Sequence, residues 1–207
     1  MNPSLSALTE EVYRRTAQLT TSVMLVGVGR ARAAKAFMDR GFEVFGRDDF
    51  GTQRHRLSPK AVTIYDLMDE ETCREVMVMA MTTFGAGAEC ATCELTIRSP
   101  YTGPDTNEIA AFDCVYLDYD FSAQGEYNLG CLWLPAVRAG GVICGSRYGL
   151  RRAGCGVSAG VDALRKRFRL QVERLDGKIW LANVPRAVPH ERIDTTIHTQ
   201  RTRLGKS

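Results

Sequence analysis

Two acids one position apart, Asp118 and Asp120, close the apolar run in FDCVYLDYDFS, residues 112–122. Val115, Tyr116 and Leu117 belong in a core, so the run reads as a buried strand that delivers two carboxylates to its carboxyl end. Other strand ends carry equally usable groups. In LVGVGRARAAK, Gly27 and Gly29 lie between a strand and a helix. Their missing side chains let a ligand approach the backbone, and helix amides there meet negative charge. The same spacing also serves a tight turn packing helix on strand. The third glycine of a dinucleotide fingerprint falls at Arg32, which weakens a pyrophosphate reading. Asp48 follows the glycines by about twenty residues, where an acid can accept both hydroxyls of a ribose. Asp49 is its competitor, and both can instead cap the turn RDDFGT. Arg98 with Ser99, and Ser146 with Arg147, finish two further strands.

Metal-ligating patterns are thinner. Cys90 and Cys93 form a lone CxxC, and a zinc site needs two more ligands that no second CxxC or HxxxH supplies. The expectation is no metal. The seven cysteines, mostly inside apolar runs, suit reduced core thiols better than a disulfide framework. Trp133 and Trp180 read as core, and His55, His190 and His198 as solvated loop or tail residues.

The elements that must position these groups alternate. TEEVYRRTAQL has apolar residues near helical spacing with acids in its first turn, a short amphipathic helix ahead of the domain. SVMLVGVG is a strand, RARAAKAFMDRG a helix closed by Gly41, and FEVFGRDDF a strand. DEETCREVMVMAMTTFG reads as a helix, CELTIRS and FDCVYLDYD as strands, YNLGCLWLPAVRAG as a helix ending at Gly140 and Gly141, and GVICGSRY as an apolar strand. VSAGVDALRKRF is a last helix, and LQVERLDGKIWLANV a hairpin about Asp176-Gly177. This pattern predicts an α/β fold: a doubly wound, mostly parallel sheet covered on both faces, with a C-terminal antiparallel hairpin. The expected organisation is a helix in residues 1–20, one domain over 21–185 and a basic, flexible tail over 186–207. In such sheets ligands bind outside the carboxyl ends of the strands, near the point where strand order reverses. All the groups above stand at such ends.

Composition bounds the partners. The 207 residues are 44% apolar and 25% charged, within the globular range. The net charge of +3 is accounted for by the segment from Pro185 to Ser207, so the body is balanced. That argues against a nucleic-acid platform, and the cations of LRRAGCG and LRKRFRL read as a solvated face. No apolar core of a secretion signal and no run of eighteen apolar residues occurs, so a cytoplasmic protein without membrane spans is expected. Self-association into a homo-oligomer is left open.

LVGVGRARAAKAFMDRGFEVFGRDDFG, FDCVYLDYDFS and LWLPAVRAGGVICGSRYG resemble the class I S-adenosylmethionine-dependent methyltransferases, particularly the branch of macrocin-type sugar O-methyltransferases and cephalosporin-hydroxylase-like proteins. The likeness covers roughly residues 20–184. It implies a Rossmann-like methyltransferase fold, with Gly27 and Gly29 bordering the methionine part of the cofactor, Asp48 on its ribose, Arg98 and Ser99 near the adenine, and Asp118 beneath the transferred methyl. Three positions depart from the pattern. Leu25 stands where an acid helps bind the methionine amino group, Ser146-Arg147 replaces an acidic or His-Asp pair, and Phe121 replaces a histidine. A cation in place of a carboxylate repels a divalent metal. Asp118 and Arg147 then flank a small-molecule acceptor, one orienting or deprotonating a hydroxyl and the other binding an acidic part, or else form an ion pair that catalyses nothing. The expected activity is a metal-independent methyl transfer, O-directed; the alternatives are a catalytically degenerate binding or assembly module and, resting on the glycine turn alone, an NAD-type oxidoreductase.

Overall fold

The computed structural model describes residues 3–16, 21–27, 32–48, 93–97, 99–151, 154–175 and 178–185. Within them the apolar runs form seven strands: β1 (Ser22–Val26), β2 (Glu43–Asp48), β3 (Cys93–Ile97), β4 (Phe112–Leu117), β5 (Val137–Gly145), β6 (Val172–Leu175) and β7 (Ile179–Asn183). They make one sheet in the order β3-β2-β1-β4-β5-β7-β6. The pairs among β1 to β5 are parallel, and β7 runs antiparallel to both β5 and β6. The mostly parallel doubly wound sheet and its closing hairpin are therefore present.

Every residue of β1 and β4 is buried, as a strand covered on both faces requires. Alternation sends Val23, Leu25, Val44, Cys114, Tyr116 and Cys144 to one face. There they meet α1 (Pro3–Thr16) and α2 (Arg32–Asp39) through Leu8, Val12 and Phe37. Met24, Val26, Val115, Leu117 and Ile143 face the other side, against α3 (Ala123–Trp133) and α4 (Val157–Phe168).

Two element boundaries differ from the sequence reading. The helix expected to reach Gly140 and Gly141 ends at Trp133: Leu134–Ala136 tighten into a 3-10 turn around Pro135, and Val137 already opens β5. The glycines sit inside the strand, at an irregularity in the β4–β5 register. A Cβ on Gly141 would stand 2.6 Å from the Asp113 carbonyl oxygen. At the other end, α1 begins at Pro3, where proline fits a first helical turn, so Glu10 and Glu11 lie mid-helix. They serve as ties: Arg40 of the α2 end donates to Glu10 at 2.8 Å, and Arg15 donates to Glu11 and to Glu173 of β6, each at 2.7 Å. The helix expected in DEETCREVMVMAMTTFG, the Asp176-Gly177 turn, the Cys90 position and the tail lie outside the described residues.

Candidate functional site

Strand order reverses at β1, whose neighbours are β2 on one side and β4 on the other. Parallel pairing continues one residue past the strand ends. Gly27 N–H donates to the Arg47 carbonyl (2.9 Å), Asp118 N–H to the Val26 carbonyl (2.9 Å), and Ser146 N–H to the Leu117 carbonyl (3.3 Å). With Val26 level with both Arg47 and Leu117, and Leu117 level with Gly145, the next residues form a row: Asp48, Gly27, Asp118, Ser146. Their parity is that of Val44, Leu25, Tyr116 and Cys144, so the row continues the α1/α2 face at the carboxyl edge. Asp48 and Asp118 are two strand spacings apart, about 10 Å, with a residue lacking a side chain between them.

Gly27 has φ +91°, and a Cβ there would lie 2.6 Å from the Asp118 carbonyl oxygen and 2.9 Å from the Tyr119 Cα. Close approach of two backbones thus accounts for glycine at this position. Asp48 is 1% exposed, a buried carboxylate that requires hydrogen-bond donors around it.

The two acids that end the fourth strand separate. Asp118 stays in the row, partly exposed, and its Oδ1 accepts from the Ser146 hydroxyl at 2.6 Å. The buried Tyr116 phenol beneath is pushed well above its usual range, first by burial and then by the Asp118 charge, so it stays protonated. Asp120 turns instead to the start of α3: it accepts from Tyr101 Oη at 2.5 Å and from Ser122 N–H at 2.8 Å. Its carboxyl occupies the space a Cβ on Gly125 would need. Asp120 is thus bound into the helix entry.

Arg147 follows Ser146 in a left-handed backbone conformation, φ +66°, and its guanidinium lies 3.4 Å above the centre of the Phe121 ring. Phe121 is thus a platform for a cation. Ser99 follows β3, partly buried, and its carbonyl accepts from Thr102 N–H and Oγ1 at 3.0 and 2.8 Å. Leu25 is wholly buried on the α1/α2 face. Gly29, Asp49 and Arg98 lie outside the described residues.

Sequence reasoning passed over Arg47. Alternation in EVFGRD turns it away from Asp48 toward α3, where it is 3% exposed. Its Nη1 donates to the Gly103 carbonyl (2.5 Å), its Nη2 is shared between both Glu108 oxygens (2.9 and 3.0 Å) and Asp105 (3.3 Å), and the guanidinium lies over the Trp133 ring. Trp133 Nε1 in turn donates to the Pro100 carbonyl at 2.8 Å. Together they fasten the loop over residues 99–108 beside the row. An arginine on the same strand face as Phe45 was the available signal, because a buried guanidinium needs partners.

Among the described residues, no three His, Cys, Asp or Glu side chains group as a metal site. A cavity of about 360 Å³ lined by Ser22, Glu43, Phe112 and Arg138 lies at the amino ends of the strands, and none of the predicted site residues line it.

No protein-family model and no curated relative matches the chain. Solved structures resemble it. Magnesium protoporphyrin IX methyltransferase of Synechocystis PCC 6803, with bound SAM, superposes with a TM-score of 0.59 at 11% identity over 86% of this chain and 77% of that one. The O-methyltransferase NovP gives 0.55 at 15% identity over 86% and 80%. The 1,6-didemethyltoxoflavin N1-methyltransferase of Burkholderia thailandensis, with S-adenosylhomocysteine and 1,6-didemethyltoxoflavin bound, gives 0.54 at 11% identity over 88% and 79%. At these identities the likeness establishes the fold, a Rossmann-like methyltransferase fold.

Proposed function

We propose that the row Asp48, Gly27, Asp118, Ser146 is the floor of an S-adenosylmethionine site and that the protein is a methyltransferase acting on a small molecule at oxygen. The observation that carries this reading is the register of the row: two carboxylates on one sheet face, about 10 Å apart, with a glycine between them at the topological switch point. The interval suits a ribose at one end and a sulfonium at the other, and Gly27 puts no side chain in the way. Leu25 does not fit, since a buried leucine offers nothing to the methionine amino group. Loss of one charge-assisted contact weakens binding by about ten- to a hundredfold.

S-adenosylmethionine supplies an electrophilic methyl group; the chain supplies position and charge. Asp48 accepts the ribose hydroxyls, and the 99–108 loop, with Ser99 at its start, borders the adenine. Asp118 orients the acceptor hydroxyl or takes its proton, and Arg147, held on Phe121, binds an acidic part of the acceptor. In-line positioning carries much of the rate of such a transfer. The reading includes no resident metal, because Ser146 and the Arg147 cation stand where carboxylates would be needed to hold one. It also assumes a reducing, cytosolic setting, supported by the buried Cys114 and Cys144 thiols, which lie 3.5 Å apart on β4 and β5 as free cysteines.

Calorimetric titration with S-adenosylhomocysteine tests the reading. Saturable binding that Asp48→Ala weakens by about a hundredfold is expected; absence of binding at millimolar ligand refutes it. A second reading, a methyltransferase-like binding module without catalysis, is favoured by Leu25 and by the guanidinium at Arg147. Cofactor bound beside an acceptor cleft filled by the protein's own side chains would select that module. The antiparallel β7 inserted between β5 and β6 departs from the strand order of dinucleotide-binding sheets, which counts against an NAD-dependent oxidoreductase.

A further inference from the structure

We propose that the cavity at the amino ends of the strands is a second ligand site, one that takes a small organic cation with a flat apolar body. It is separate from the row and does not rest on the cofactor reading. Glu43 opens β2 and Asp48 closes it, so about 16 Å of strand lies between the two sites. The cavity exists because of how β3 joins β4. Residues 99–111 of that connection contain two 3-10 turns, Pro100–Thr102 and Thr106–Glu108, where a helix would cover the sheet, and no residue of α3 or α4 lines the cavity. The space left is about 360 Å³, which falls in the range of small-molecule sites.

Strand alternation sets its chemistry. Glu43 and Phe45, two apart on β2, border the cavity together, and the half-buried Phe45 ring meets the Phe112 ring of β4 at 5.3 Å between centres. Glu108 enters from the second 3-10 turn and Arg138 from β5. Among the described residues the lining thus holds two carboxylates and one guanidinium. That guanidinium is already engaged: Nη1 lies 3.0 Å from Asp113 Oδ1, and Nη2 donates to the Ala111 carbonyl at 2.6 Å. Asp113 is fixed in turn, because its Oδ2 accepts from the Ser22 amide at 2.9 Å and the Ser22 hydroxyl at 3.3 Å. An anion would have to compete with Asp113 for Arg138 and would meet both glutamates. A cation meets carboxylates from two elements and the negative faces of aromatic rings, and those rings favour a flat apolar body. Exposed Asn107 marks the open side.

The test is a titration of the full isotope-labelled chain with protonated benzamidine, followed through amide NMR shifts, beside benzamide and benzoate as neutral and anionic compounds with the same ring. Saturable shifts at Ser22, Phe45 and Phe112 are expected with benzamidinium, at an affinity about tenfold above that of benzamide, and no binding of benzoate at the same concentrations. Glu43→Gln keeps the shape and removes a charge. It should weaken benzamidinium by about tenfold and leave benzamide unchanged. Equal affinity for the three compounds, or an unchanged benzamidinium affinity in Glu43→Gln, overturns the inference. So does a failure to saturate at millimolar benzamidinium, and so do shifts centred on Gly27, Asp48 and Asp118, which would put the cation on the row instead. Should Glu43→Gln fail to fold, the three-compound comparison on the unaltered chain decides alone.

Discussion

Glycine at position 27 decides whether the row exists. Its φ of +91° disfavours any side chain, and a Cβ would press on the backbone of Asp118 and Tyr119. Gly41 has the same φ with open space around it, so the two positions separate strain from collision. Gly41→Ala should cost about 1 kcal/mol and Gly27→Ala about 3 kcal/mol or more, read from urea unfolding curves. Equal costs would mean that the β1 and β4 turns are not packed as described. At this scale the sequence was informative about which groups reach strand ends and silent about their directions. Asp118 and Asp120 looked like a pair because both follow β4. Once the strand ends after Leu117, backbone direction is set by the turn into α3, and Asp120 goes to Tyr101 and Ser122. Ser146 was legible as a strand-end group and as a departure from a motif; its bond to Asp118 depends on the register of two strands distant in sequence, which no local pattern encodes.

Elements are held beside the row by ion pairs of two kinds. In one, Arg47 is buried while its partners Glu108 and Asp105 reach toward the surface, and it fastens the 99–108 loop to β2 and Trp133. Arg47→Leu leaves Glu108 without this partner and the Gly103 carbonyl without its donor, and should destabilise the protein by about 3 kcal/mol. Hydrogen exchange should accelerate first across residues 99–108; uniform acceleration over the whole sheet would contradict the local role. In the α1 set Glu11 and Arg15 are half-buried, and Arg14, Glu10 and Glu173 are exposed. Hydrogen bonding from Arg14, with Arg15 adding, holds the Glu11 carboxyl at about 2 against 4.5 when unperturbed. A lowered value in the folded state means that this stabilisation is complete above about pH 4.5 and is lost as pH falls toward 2. Because the pair is near the surface its worth is about 1 kcal/mol or less. Glu11→Gln should therefore shrink the stability difference between pH 5 and pH 3 by about half of that amount, measured by urea unfolding at both values, with the other half still lost at pH 3 because the folded-state carboxyl titrates only near 2. The α3 boundary shows why element ends were harder to read than element types: LWLPAVRAGGVI is apolar but for Arg138, and only Pro135 signalled that helix gives way to strand.

For the molecule as a whole, alternation of apolar strands and helices was enough to anticipate the doubly wound sheet and its terminal hairpin, because each element's burial demand is written in its own residues. The strand order that brings residues 27, 48, 118 and 146 to one level is a property of the assembled sheet. The claim that this level is a cofactor floor is most directly tested by a crystal structure of the protein grown with S-adenosylhomocysteine. The account predicts the ribose hydroxyls on the Asp48 carboxylate and the sulfur on the Asp118 side of Gly27, on the α1/α2 face. Ligand seated in the amino-end cavity by Glu43 and Arg138, or on the opposite face of the sheet, would contradict it.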